Sequence, residues 1–265
     1  MVTEVSSTAR VAVLGLGEAG SEIARDLATA GADVRGYDPV AGAPAGVAAR
    51  RDERDAVRDA DLVLSVNSSH DALPALEAAL DALRPGTVWA DLNTASPGVK
   101  QQLAERLAGR DVPVADVALM APVPGKGLRT PMVVSGPGAQ RYARLLSGWG
   151  ASVDVLDGPP GAAICRKLLR SVFYKGLAAA VVEALEGARA AGVEDWLREN
   201  VADELAGFDR STLVRLVEGT HTHARRRTDE MAAAAEQLRE LGVEPRVATA
   251  AHDLLAELRD RSAAR

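Results

Sequence analysis

Cysteine is almost missing from this sequence. Cys165 is the single one in 265 residues, which excludes an intramolecular disulfide and a thiolate zinc site and suits a reducing compartment. Aromatic residues make up only 3%, and Ala, Val and Leu carry the apolar content, a mix for helices packed on a Val-rich sheet. No apolar run approaches the roughly 18 to 20 residues of a membrane span. Positive charge is not in excess either: 31 basic residues against 37 acidic leave a formal charge of −6. No global basic field exists to hold a nucleic acid or an anionic membrane, so neither is expected as a partner. Met1 to Ala9 lacks the basic-then-apolar order of a signal peptide and reads as a short tail, and the chain is expected to be soluble and cytoplasmic. Lysine is the scarcest charged type, with Lys100, Lys126, Lys167 and Lys175 standing against 27 arginines. Each lysine is therefore worth a question.

What the chain has in quantity is alternation. Short Val/Leu-rich runs at 10–14, 33–37, 62–66, 88–92, 114–119, 132–135 and 152–155 read as strands, with helical patterns at 19–30, 71–83, 97–107 and 139–149 between them. Asp157-Gly158-Pro159-Pro160-Gly161 punctuates this pattern, and only helices are expected beyond it: one of about eight turns over 162–191, then 195–205, 211–218, 224–241 and 245–258. The expected class is α/β, an N-terminal doubly wound sheet over 8–158 followed by an all-α domain over 159–265, with the long helix joining them.

Gly15-Leu16-Gly17-Glu18-Ala19-Gly20 has the G-x-G-x-x-G spacing, preceded by the apolar run Val11-Ala12-Val13-Leu14 and followed by a helix with Ile23, Ala24 and Leu27 on one face. In that setting the first Gly allows a tight turn, the second lets backbone N–H groups approach a pyrophosphate, and the third lets helix and strand pack closely. The Rossmann arrangement follows. Asp38 ends the next strand, where a carboxylate meets the adenosine ribose, so NAD is favoured. Arg35, Arg50 and Arg51 keep NADP open. Asn67 and Asn93 finish later strands and are expected at the cofactor, with Thr94 beside the substrate. Ser96 before Pro97 reads equally as a contact or as a helix N-cap.

On the long helix, at 100° per residue, Lys167, Ser171, Tyr174 and Lys175 share one wedge of about 100° among apolar neighbours. Most of this helix is expected to be buried. Lys167, six residues past Gly161, is the candidate acid/base for hydride transfer. A neutral amine takes the hydroxyl proton in oxidation, and an ammonium gives it in reduction. Ser171 is expected to orient the amine or a substrate hydroxyl, and Lys175 to adjust the charge nearby. Cys165 reads as a small buried residue and Lys100 as a surface helix residue. Lys126 and Arg129 could hold a carboxylate or phosphate or be solvated. His221 and His223 lack a third metal ligand, so no metal site is expected, and Arg225 and Arg226 read as i,i+4 partners of Asp229 and Glu230.

Taken together, these motifs resemble the β-hydroxyacid dehydrogenase superfamily, which includes 6-phosphogluconate and 3-hydroxyisobutyrate dehydrogenases. Asp91-Leu92-Asn93-Thr94-Ala95-Ser96-Pro97 is similar to its Asp-x-Ser-Thr-x-x-Pro segment, and Lys167 matches its catalytic lysine. Pro122-Val123-Pro124-Gly125-Lys126-Gly127 sits where the family has a substrate-binding loop, so the resemblance implies that Pro122, Val123, Pro124, Gly125 and Lys126 meet a small, anionic substrate. It also implies a homodimer formed through the helical domain. Departures are Ser171 where the family has Asn, Pro124 where it has Ser, and Asp229-Glu230 where it has Lys-Asp. Lys175-Gly176 and Glu230-Met231 resemble a poorly characterised branch. The expected function is oxidoreduction of a small hydroxy acid or related alcohol. The rivals are imine reduction, whose enzymes generally lack this lysine, and dinucleotide binding without catalysis.

Overall fold

The computed structural model describes residues 9–263, so the tail reading for residues 1–8 lies outside the described residues. The chain divides into two compact units at Arg170/Ser171. In the first, eight strands form one sheet: β1 (Arg10–Leu14), β2 (Asp33–Tyr37), β3 (Ala48–Ala49), β4 (Leu62–Ser65), β5 (Val88–Asp91), β6 (Val114–Leu119), β7 (Met132–Ser135) and β8 (Val153–Val155). Their order is β3-β2-β1-β4-β5-β6-β7-β8. All neighbours are parallel except β6 with β7. Helices α1 (Glu18–Thr29), α2 (Glu53–Val57), α3 (Ala72–Ala79), α4 (Pro97–Leu107) and α5 (Ala139–Gly148) supply the crossovers and cover both faces. This is the doubly wound arrangement, with the chain reversing its winding direction between β1 and β4, where such sheets bind ligands.

The apolar runs of β4, β5 and β6 are buried along their whole length, as strands covered on both faces must be. Val11 and Val13 face one core with α1 and α5, while Ala12 and Leu14 face the other with α2, α3 and α4.

Helix α6 (Ala162–Ala190) begins in the first unit and continues into the second, where α7 (Glu194–Ala206), α8 (Arg210–Thr222), α9 (Ala224–Glu240) and α10 (Arg246–Ala263) follow. The Gly/Pro cluster at 157–161 is where strands give way to helices, whereas the compact units separate two turns further on. Burial of α6 is lower than its composition leads one to expect. Val172, Phe173, Tyr174 and Val182 are exposed, so its apolar faces are not consumed by the core of this single chain. Cys165, expected inside, is exposed as well, because it lies on the outer side of the first turn.

Within the second unit, Glu183 on α6 is buried and caps α10 from a distance. Its two carboxylate oxygens accept from Val247 N at 2.7 Å and Ala248 N at 2.8 Å. These are N–H groups that a helix start leaves unpaired. Glu183→Ala is expected to destabilise the helical unit by about 1.5–3 kcal/mol, the cost of charge-assisted bonds lost in a buried place. Thermal unfolding of the full chain followed by circular dichroism reads this directly, and an unchanged midpoint would contradict it.

Candidate functional site

The glycine loop runs from the end of β1 into α1. Gly15 has φ +92°, a left-handed backbone that admits few side chains, and a Cβ there would meet Val66 O at 2.5 Å. A Cβ on Gly20 would sit 1.9 Å from Gly15 O, so strand end and helix can close on each other only without one. Gly17 has nothing within 4 Å of its would-be Cβ and N-caps α1 with no side chain accepting from the helix. The first N–H groups of α1 thus face an open cradle, with the positive end of the helix dipole behind them.

That cradle opens into a cleft of about 740 Å³ lined by Gly15, Gly17, Glu18, Ala19, Asp38 and Asn67 among others. Leu16 and Gly20 are buried behind it and shape the loop. Asp38 ties the loop to the β2 end: Oδ2 accepts from Leu16 N at 2.7 Å, and Oδ1 accepts from Val40 N and Ala41 N, each at 2.8 Å. Burial alone would raise the Asp38 carboxyl, but the N–H groups of Ala41, Val40 and Leu16 together hold it below the usual carboxylate range. A carboxyl lowered on folding keeps its stabilising contribution at neutral pH and loses it only as acid takes the pH down through the depressed value. The loop anchor is therefore ionised throughout the neutral range.

A second group of residues lies where β5 ends. Thr94 is exposed, and its Oγ1 accepts from Lys167 Nζ at 2.8 Å. Lys167, half-buried in the second turn of α6, is thus brought to the residues following β5, as its placement past Gly161 predicts. Arg170 Nη1 donates to Met120 O at 2.9 Å, fastening the next turn of α6 to the end of β6. Ser171 lies one turn past Lys167 on the same helix. Lys175, expected to influence Lys167, is eight residues on, about 12 Å along the axis. It is exposed, and across that span salt largely screens its charge.

Asn67 is half-buried and lines the cleft, donating to Ser65 Oγ at 3.1 Å. Asn93 turns the other way. It is buried, its amide donates to Ser65 Oγ at 3.0 Å and to Asp91, and its own Oδ1 is buried with no hydrogen-bond partner among the described residues. The reason lies beneath it. Lys100, expected on the surface, is fully buried, with Nζ 2.5 Å from Asp91 Oδ2 and 3.3 Å from Asp116 Oδ1. Burial raises the Asp91 carboxyl, with Lys100 acting against that rise. Asp91, Lys100 and Asp116 escaped sequence reasoning although a signal existed. Lys100 shares one face of α4 with Leu103 and Leu107, the buried face.

The loop after β6 is pinned to α1. Val123 is buried, Gly125 N donates to Glu22 Oε2 at 3.1 Å, and Leu128 N to Asp26 Oδ2 at 2.8 Å. Pro122, Pro124, Gly125, Lys126 and Arg129 are exposed, and none of the residues 122–126 lines the nucleotide cleft. Ser96 Oγ accepts from Val99 N at 3.4 Å, which favours the capping reading. Arg226 pairs with Glu230 as expected for a solvated helix face. Among the described residues no cluster of His, Cys, Asp and Glu could hold a metal, and no helix is long and apolar enough to cross a membrane.

Comparison with known proteins agrees with this geometry. Residues 10–139 match the NAD binding domain of 6-phosphogluconate dehydrogenase, and residues 188–258 match a domain of unknown function, DUF1932. A conserved hypothetical protein from Sinorhizobium meliloti 1021 is 29% identical, with a TM-score of 0.63, and the match covers 97% of this chain and 90% of that one. MTH1747, a conserved protein of unknown function described as structurally similar to 3-hydroxyacid dehydrogenases, is 26% identical with a TM-score of 0.60, covering 96% and 99%. An imine reductase from Streptomyces aurantiacus is 20% identical with a TM-score of 0.76, covering 96% and 95%, a likeness of fold.

Proposed function

The chain belongs to the β-hydroxyacid dehydrogenase superfamily, and we propose that within it the protein is an NAD-dependent oxidoreductase interconverting a small hydroxy acid, or related alcohol, with its carbonyl compound. Membership supports dinucleotide binding and chemistry of the dehydrogenase or reductase type. The observation that carries the finer reading is the Lys167 Nζ to Thr94 Oγ1 bond, which holds an amine at the carboxyl end of the central strands, where open sheets of this kind bind their ligands.

Gly15, Gly17 and the first turn of α1 would hold the pyrophosphate, and Asp38 the adenosine ribose. When bound, the dinucleotide supplies or takes the hydride. Lys167 handles the proton: as the neutral amine it accepts from the substrate hydroxyl in oxidation, and as the ammonium it donates to the carbonyl oxygen in reduction. Thr94, as acceptor, keeps Nζ aimed. Ser171, one turn on, orients the substrate hydroxyl or the amine. The exposed Lys126 meets the anionic end of the substrate, with Pro122, Val123, Pro124 and Gly125 shaping the loop that presents it.

NAD rather than NADP is supported by charge. Glu18, Asp38, Glu53 and Asp71 line the cleft, and Arg35, Arg50 and Arg51 do not. Arg35 Nη1 donates instead to Arg58 O at 2.9 Å, and Arg51 pairs with Asp55 at 3.2 Å. Asp38→Asn removes the anionic acceptor and weakens the loop anchor while keeping the side-chain size. It is expected to raise the Kd for NADH about 10- to 100-fold, equivalent to losing charged hydrogen bonds of roughly 1.5–3 kcal/mol, and to narrow the preference over NADPH. Calorimetry with both dinucleotides measures this, and an unchanged NADH affinity would remove Asp38 from the site.

The assembly we assign is a homodimer through the helical unit. The exposed Val172, Phe173 and Val182 of α6 and Leu213, Val214 and Val217 of α8 support it, since so much apolar surface on one unit is better explained by a covering surface than by water. Turnover decides the chemistry. A panel of small hydroxy acids with NAD and NADP at alkaline pH is expected to include a substrate. Activity confined to cyclic imines would support the imine reductase reading, and dinucleotide binding without any turnover the non-catalytic one.

A further inference from the structure

The buried cluster around Lys100 has no part in that chemistry, yet it touches both elements that bring Lys167 to Thr94. Lys100 Nζ donates to Asp91 O at 2.9 Å and pairs with Asp91 Oδ2 at 2.5 Å, holding the end of β5 three residues before Thr94. On its other side it lies 3.3 Å from Asp116 Oδ1. Asp116 Oδ2 in turn accepts from Gly161 N at 2.9 Å and from Ala163 N and Ile164 N at 3.1 Å each. A strand carboxylate thus caps the start of α6, one turn before Lys167. Ser135 Oγ completes the join, donating to Asp116 Oδ2 at 3.2 Å and accepting from Ala163 N at 3.0 Å. Side chains of Lys100, Asp91 and Asp116 are fully buried, where water cannot replace a missing partner.

Steric fit points the same way. Gly161 has φ +103°, and a Cβ there would meet Pro97 O at 3.1 Å and Pro97 Cβ at 3.2 Å. The start of α6 therefore rests on the first residue of α4, the helix that carries Lys100. No other lysine is buried: Lys126 and Lys175 are exposed and Lys167 is half-buried.

We propose that Lys100 is a positioning residue: through Asp91 and Asp116 it clamps the β5 end to the start of α6 and so sets the contact between Lys167 Nζ and Thr94. The cluster adds a side-chain link between Asp91 and the residue that caps α6, alongside the backbone pairing of β5 with β6. An ion pair in this place is a poor source of net stability but a strong source of geometry, because a shifted helix would leave one of three buried charges without its partner.

This inference rests on the reading of Lys167 as the acid/base, and its test needs no substrate. The four lysines can each be followed in the full-length chain with NADH present, by brief acetic anhydride labelling across pH and mass spectrometry of the peptides. In the wild type, Lys100 should remain unlabelled, the exposed Lys126 and Lys175 should be accessible to the reagent, and Lys167 should lag behind them. Lys100→Met should leave the NADH Kd unchanged within about twofold, since the glycine loop stands on other elements. It should speed Lys167 labelling by about three- to tenfold, the range set by losing one net hydrogen bond, and shift the midpoint of its pH profile downward because Thr94 no longer stabilises the ammonium. Lys126 and Lys175 should not change. If Lys100→Met does not fold, Lys100→Met combined with Asp91→Asn removes the charge pair together and carries the same expectation. A folded variant of either kind with a wild-type Lys167 profile overturns the proposal. Loss of turnover in Lys167→Ala is a separate result, so a failure of the clamp and a failure of the acid/base assignment can be told apart.

Discussion

Lys167→Ala is expected to lower kcat for a confirmed hydroxy-acid substrate by about 10²- to 10⁴-fold, the range that a positioned acid/base contributes. The dinucleotide Kd should stay within a few-fold, because Lys167 does not line the nucleotide cleft. The side chain is half-buried, and its bond to Thr94 Oγ1 by itself contributes about 1 kcal/mol of stability. Lys167→Arg sharpens the expectation. A guanidinium keeps the positive charge and can still donate to Thr94, but it does not deprotonate in the working range, so it cannot accept the hydroxyl proton. Oxidation should fail in both variants. A purely electrostatic role for the lysine would instead leave the arginine variant nearly intact, and steady-state kinetics on the two proteins separates these outcomes.

Gly20→Ala has the second large expected effect, and it acts on a different step. The added Cβ would lie 1.9 Å from Gly15 O and 3.0 Å from Gly15 C, both backbone atoms that no rotamer change can move aside. Relief requires the glycine loop to shift away from α1, which tilts the N–H groups that form the cradle. The NADH Kd is expected to rise at least about 100-fold, equivalent to roughly 2.7 kcal/mol. Gly17→Ala provides the contrast. Its Cβ meets nothing within 4 Å, so it should melt like the wild type. Gly17 lines the cleft, however, so an added methyl group there should still weaken dinucleotide binding. Calorimetry and thermal melting on the pair distinguish loop distortion from direct obstruction. If Gly20→Ala bound NADH normally, the cradle would not be the cofactor site.

Much of this was legible in the sequence, for identifiable reasons. Strands β1, β2, β6 and β7 begin and end where the runs read from the sequence do, with β6 buried at every position and β2 alternating between buried and more open ones. The elements that escaped are β3, two exposed alanines at the sheet edge, and α2, five residues long. Neither is long enough to display a period. The glycine loop could be read because each glycine answers a separate steric demand. Lys100 could not be read from composition, since lysine is ordinarily a surface residue. Its helical phase with Leu103 and Leu107 marks the buried face of α4, but the carboxylates that let a lysine be buried there, Asp91 and Asp116, come together only through the pairing of β5 with β6. The exposed faces of α6 failed for another reason. An apolar helical position has the same appearance whether it meets the core of its own chain or another surface.

The most direct measurement is the pH dependence of kcat/KM for hydroxy-acid oxidation, made side by side on the wild type and Lys167→Ala with one substrate. The wild type should gain activity through an ionisation as its amine becomes a base, and the variant should lose that limb along with about 10² or more of its rate. A variant that kept the wild-type profile at a rate within a few-fold would show that the proton goes elsewhere, and the assignment of Lys167 would be wrong.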